Sequence, residues 1–243
     1  MPFQPDDPWT CQTAIDACNA VVETLRSVGI LEQGPFPDTV RSAVVLRCQP
    51  CRAGRGSNPR RCGGWTLSLR PENAIRIRGH AGGRGVIALI EGTSDRRHAI
   101  GVPASSLVSG GSMAVTVLDE EGALLTRQHS DVANVQQWGP VGHLQLGGLP
   151  SIGPRPPLEW LDQPRWPLPP MDLVLLAELA LYSFAPEGWN RVRELPVWQE
   201  QVQRSESLAY TLWLTKLQEY WNQRGSGSTW LTEQCNVTTP WQR

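Results

Sequence analysis

The chain has 243 residues, 40% of them hydrophobic, and a formal net charge of −1. This length is enough to bury a core without a disulfide framework, and the balanced total excludes a chain that is uniformly basic or acidic. The charge is nevertheless segregated. Twelve arginines and three acids leave residues 41–97, called the basic block below, at +9, and each flank carries −5.

The first helix is predicted over residues 13–28, where apolar side chains recur at helical spacing and Gly29 follows as a C-terminal stop. A second helix is predicted from about Asp38 to Leu46. Residues 47–64 are rich in Arg, Gly, Cys and Pro without an apolar period, which predicts a loop. The first residues contain no basic stretch before an apolar run, so we expect no signal peptide and reduced cysteines.

The period changes to two after this loop, which predicts a β-rich region to about residue 149. Short strands are predicted where apolar residues alternate or cluster between Gly-containing or acidic turns: Trp65–Leu69, Ile75–Ile77, Val86–Ile90, Ala99–Val102, Met113–Leu118 and Ala123–Thr126. Residues 150–170 are rich in proline and predict an extended connector that is not helical throughout.

The last third is predicted to be helical. One helix runs from Asp172 to Ala185 and is stopped by Pro186, and a longer one runs from Pro196 to about Gln223. The longer helix has one stripe at Trp198, Val202, Ser205, Ala209, Leu212 and Lys216, and Leu208, Trp213, Leu217 and Tyr220 broaden it. We therefore expect this helix to pack on more than one side.

These elements predict an α+β fold, with terminal helices forming a helical bundle and the β-rich middle region as an insertion. The predicted segments are the N-terminal helices (1–46), the basic Cys/Arg-rich loop (47–64), the β-rich region (65–149), the connector (150–170), the C-terminal helix pair (171–224) and a Trp-containing tail (225–243). The most apolar stretch, residues 171–185, is too short to span a bilayer, so no membrane association is expected.

Three thiols and one imidazole have spacings that suit a tetrahedral zinc ion: Cys48, Cys51, Cys62 and His80. A second paired motif is missing, so the same residues also fit a loop that binds no metal. Metal and cofactor are therefore not part of the predicted function, and these four residues are the only candidate metal ligands that the sequence spacing offers.

The sequence contains little that indicates a catalytic site. The glycine-rich run from Gly79 to Gly85 lacks the Gly-Lys-Ser/Thr ending of a phosphate-binding loop and is followed by a strand, which favours a hairpin turn. None of the four histidines accompanies a Ser or Cys in a recognisable nucleophile motif. The chain is therefore predicted not to be an enzyme.

The basic block leaves two interpretations open. Arginines contacting phosphates would give salt-dependent nucleic-acid affinity, although Trp65 alone supplies an aromatic ring there. The alternative is a face that meets acidic surfaces of a second copy or another protein. A nucleic-acid-binding module using residues 41–97, with or without zinc, is thus the alternative function.

Four separated segments share one resemblance. Residues 20–29 form an opening helix ending in Val-Gly, and Gly64-Trp65 starts the β-rich region. Residues 118–131 contain a late hairpin around Gly122. Leu168-Pro169-Pro170 precedes an Ala- and Leu-rich helix, then Ala185-Pro186-Glu187 and a Gln/Glu-rich helix. In this order the segments resemble the tail tubular protein A family of short-tailed bacteriophages, the adaptor ring between portal and tail nozzle.

The resemblance implies a virion structural protein that assembles in the host cytoplasm as a homo-oligomeric ring, a dodecamer by family expectation. A portal protein would lie above it, a tail nozzle or tail tube protein below it, and DNA would pass through the channel. We expect the basic block to face neighbouring proteins rather than the channel. The predicted partner-binding residues are Arg52, Arg55, Arg60 and Arg61 in the loop, and Trp213, Trp221, Trp230 and Trp241 as docking anchors. Core packing is the alternative for Trp213.

Overall fold

A computed structural model describes residues 11–31, 64–70, 74–97, 111–132, 142–146, 165–167 and 171–223, which form an α+β fold with an antiparallel sheet. The helices are α1 (Cys11–Ser27), α2 (Leu173–Phe184), α3 (Pro186–Val192) and α4 (Pro196–Gln223). The strands are β1 (Gly64–Leu69), β2 (Ile75–Ala81), β3 (Arg84–Arg97), β4 (Gly111–Asp119), β5 (Leu124–Val132), β6 (Gly142–Leu146) and β7 (Arg165–Pro167).

Helix α1 ends as its sequence predicts. The helix stops at Ser27, and Gly29 takes a left-handed conformation with φ of 70°, which costs a glycine little because it has no Cβ. The chain then reaches the sheet, where the backbone N–H of Arg78 donates to the Ile30 carbonyl at 3.0 Å. The predicted helix from Asp38 to Leu46 and nearly all of the loop 47–64 lie outside the described residues.

Strand β3 organises the sheet. The hydrogen-bonded order is β1-β3-β4-β5-β6-β7, and β2 pairs with the other half of the β3 edge that holds β1. The sequence predicts a strand only over Val86–Ile90, and the observed strand is longer because it serves β2, β1 and β4 together. The predicted strand Ala99–Val102 lies outside the described residues. Strand β6 lies within the predicted β-rich region but was not predicted individually, and β7 lies in the segment predicted to be an extended connector.

One face of the sheet and all four helices share a core. Alternate residues of β2, β3 and β4 face the helices, including Ile77, Ile90 and Val115. Leu25 of α1, Leu176 of α2 and Trp198 of α4 are fully buried in the same cluster. Helix α1 thus packs with helices that follow the sheet in the sequence.

Two glycines let the helices approach their neighbours closely. A Cβ on Gly79 of β2 would lie 2.0 Å from the backbone oxygen of Phe184 at the end of α2. A Cβ on Gly188 of α3 would lie 2.8 Å from the Ile30 side chain. Both distances are below van der Waals contact, so a larger residue at Gly79 requires the backbone at the end of α2 to shift, and one at Gly188 requires the Ile30 side chain or α3 to move.

The C-terminal helices contain one helix, α3, that was not predicted. Asp172 caps α2 by accepting from the N–H groups of Val174 and Leu175, each at 3.0 Å. Pro186 ends α2 as predicted, but it also begins α3, which the sequence did not predict. Proline suits the first turn of a helix because its missing N–H has no partner there anyway.

Candidate functional site

Most predicted partner-binding and metal-binding residues lie outside the described part of the chain: Arg52, Arg55, Arg60, Arg61, Trp230, Trp241, Cys48, Cys51 and Cys62. Trp213 lies on α4, where its side chain is not described. Trp221 lies near the end of α4 with 54% of its surface exposed. His80 is exposed on β2. Among the described residues, no three His, Cys, Asp or Glu side chains come together as a metal site would require.

The described arginines of the basic block concentrate on the β2–β3 hairpin. Arg78 and Arg84 are exposed, and between them the chain turns through Gly82 and Gly83, with φ values of 58° and 79°. The hairpin predicted for residues 79–85 is therefore confirmed. Positive φ at two successive positions favours the two glycines found there.

Acidic side chains lie at the same end of the sheet as this hairpin. Val86 pairs with Asp119, so the β4–β5 turn, with Glu120 and Glu121, is adjacent to the start of β3. A Cβ built on Gly85 would meet the Glu120 carboxylate at 2.0 Å. The exposed surface at this end is therefore of mixed charge. Such a surface suits a protein partner better than a row of phosphates.

A second cluster joins the three C-terminal helices. Glu178 of α2 accepts the indole N–H of Trp189 of α3 at 2.7 Å and that of Trp198 of α4 at 2.5 Å. The Tyr182 and Trp189 rings are nearly perpendicular with centroids 5.3 Å apart, and the Arg193 guanidinium lies 4.6 Å from the Trp189 centroid. Two tryptophans that the sequence offers as separate apolar residues thus share one carboxylate.

Part of this cluster is at the surface. Tyr182 is 63% exposed, and Arg193 forms an ion pair with Glu194 at 3.2 Å. Tyrosine, tryptophan and arginine are the side chains that most often carry binding energy in protein interfaces. The hydrogen bonds and ring contacts already fix these groups, so a partner would find them preorganised.

A third cluster lies on the sheet face that is turned away from the helices. Glu91 is 2% exposed and accepts the hydroxyl of Thr116 at 2.7 Å, and Arg127 Nε is 3.6 Å from Glu91 Oε1. Arg127 Nη1 is 3.3 Å from Nδ1 of the buried His129. A buried carboxylate is tolerated when hydrogen bonds and an opposite charge compensate its desolvation, as they do here.

Two side chains close to Asp172, at the start of α2, have raised pKa values. Burial, followed by the charge of Asp172, raises the pKa of the Cys18 thiol to about 12. Burial also raises the pKa of Tyr210, with smaller contributions from Glu206 and Asp172. A thiol with a raised pKa is a poor nucleophile, so Cys18 has the properties of a packing residue.

Among the side chains that are described in the C-terminal half of α4, two large apolar ones are exposed. Leu214 is 58% exposed and Trp221 is 54% exposed. They are separated by seven residues, which places them on one side of the helix.

The chain matches no model of a known protein family, no curated protein and no solved structure. No described helix combines the length and apolar composition that crossing a bilayer requires.

Sequence reasoning missed two of these clusters. Glu178 lies within the apolar stretch 171–185 and Glu91 is one of the three acids of the basic block, but neither position in the sequence predicts the contacts described above. A carboxylate within a run of buried residues is the available signal, because it must find hydrogen-bond donors in the fold.

Proposed function

We propose that this protein is a virion structural protein, a head-to-tail adaptor that forms a ring between a portal and a tail and acts by assembly alone. The observation that carries the proposal is the agreement between the four segments of the tail tubular resemblance and the element boundaries. α1 ends before Gly29, β1 begins at Gly64, the β4–β5 turn contains Gly122, and α2 ends just before Pro186, which begins α3.

The arrangement of helices is consistent with an adaptor framework. Helix α1 contacts α2 and α4, although the whole sheet separates them in the sequence. We propose that these terminal helices form the bundle of each subunit and that the β-rich region is an insertion into it. The core that the sheet shares with the helices is consistent with an insertion that is not an independent domain.

The charge distribution favours head-to-tail contacts between copies. A ring requires one face of a subunit to meet a different face of the next, and a basic block between acidic flanks supplies two such faces. Arg78 and Arg84 would take part in this contact, together with the loop arginines Arg52, Arg55, Arg60 and Arg61. Trp213, Trp221, Trp230 and Trp241 remain proposed anchors for the proteins above and below.

A channel that releases DNA should not hold it tightly, because each phosphate contact adds affinity. The mixed charge around Arg84 and Glu120 supports placing the basic block against protein instead of DNA. A dodecamer in the virion, with DNA passing through it, remains the proposed assembly.

The experiment is electron microscopy of the purified protein in negative stain over a range of concentrations. Annular particles with a central hole are expected, and their symmetry can be counted. Arg84→Glu should reduce the fraction of annuli. The control is Arg191→Glu, which reverses the charge of an exposed arginine on α3, outside the basic block, and should leave that fraction unchanged. Particles without a hole at every concentration, together with tight salt-dependent binding to duplex DNA, would instead favour the nucleic-acid-binding module.

A further inference from the structure

We draw no further inference here: the strongest candidate, the surface cluster of Tyr182, Trp189 and Arg193 where α2 meets α3, carries none because nothing in the structure shows what covers its exposed Tyr182 ring.

Discussion

Trp198 and Trp189, from two different helices, donate their indole N–H groups to the two oxygens of a single carboxylate, that of Glu178. Hydrogen bonds to a charged acceptor are worth more than bonds between neutral groups. The carboxylate therefore fixes α3 and α4 relative to α2.

Replacement of Glu178 should destabilise the C-terminal helices. Glu178→Ala leaves two indole N–H groups without their acceptor, and we expect a loss of about 2–4 kcal/mol in the free energy of unfolding. Glu178→Gln keeps one acceptor oxygen and should cost about half as much. Urea unfolding monitored by far-ultraviolet circular dichroism gives these values.

Tyr182→Phe is the control for this prediction, because it keeps the ring contact with Trp189 and removes only an exposed hydroxyl. We expect a change within about 0.5 kcal/mol. A Glu178→Ala protein as stable as this control would show that the shared carboxylate does not hold the helices.

Substitution of Gly79 should be much more costly than substitution of Gly85 on the same hairpin. In Gly79→Ala the new methyl group would lie 2.0 Å from the Phe184 backbone oxygen, which can move only with α2. We expect a loss of about 2–3 kcal/mol or more. In Gly85→Ala the nearest atoms belong to the flexible Glu120 side chain, so the loss should stay below about 1 kcal/mol.

Thermal unfolding of the two glycine variants, each compared with wild type, measures the difference. Equal melting temperatures for Gly79→Ala and Gly85→Ala would mean that α2 does not approach β2 as closely as described.

Periodicity and turn residues were sufficient to predict much of the fold. The apolar spacing that ends at Gly29 predicted α1, and the glycines of residues 79–85 and Gly122 predicted two hairpins of the sheet. These features are local, since each depends on residues within one or two turns of the chain. The α+β class followed from their order.

The remaining features depend on contacts between distant residues. Nothing near Glu178 in the sequence indicates that residues 11 and 20 positions later will donate to it. Strand β3 was predicted too short because its second half is polar, and residues 92–97 become a strand by pairing with β1. Whether such a segment becomes a strand depends on the strand with which it pairs, and the residues close to it in the sequence do not indicate that partner.

Removal of the Thr116 hydroxyl should destabilise the sheet. In Thr116→Val the buried Glu91 loses a 2.7 Å hydrogen bond, and we expect a cost of about 1.5–3 kcal/mol. Thr116→Ser keeps the donor and loses only a methyl group, at about 1 kcal/mol. Chemical denaturation of both variants measures the two losses in the free energy of unfolding. A larger loss in Thr116→Ser than in Thr116→Val would contradict the role of the hydroxyl.

The buried Cys18 thiol should make stability fall at alkaline pH. Its pKa is raised from 9.0 to about 12 in the folded state, so above about pH 9 the unfolded chain loses the proton first. The stabilising contribution is complete below pH 9 and is lost as the pH rises towards 12. The free energy of unfolding should fall by about 1.4 kcal/mol per pH unit from this group.

Comparison with Cys18→Ala isolates the effect, since the other titrating groups are common to both proteins. The difference in stability between wild type and Cys18→Ala should be constant from pH 7 to pH 9 and then shift against wild type, by about 2 kcal/mol at pH 10.5. Thiol titration provides a second readout, because Cys18 is buried and should react only after unfolding. A stability difference that does not change above pH 9, with rapid labelling of Cys18 in the folded protein, would show that this thiol is accessible to water.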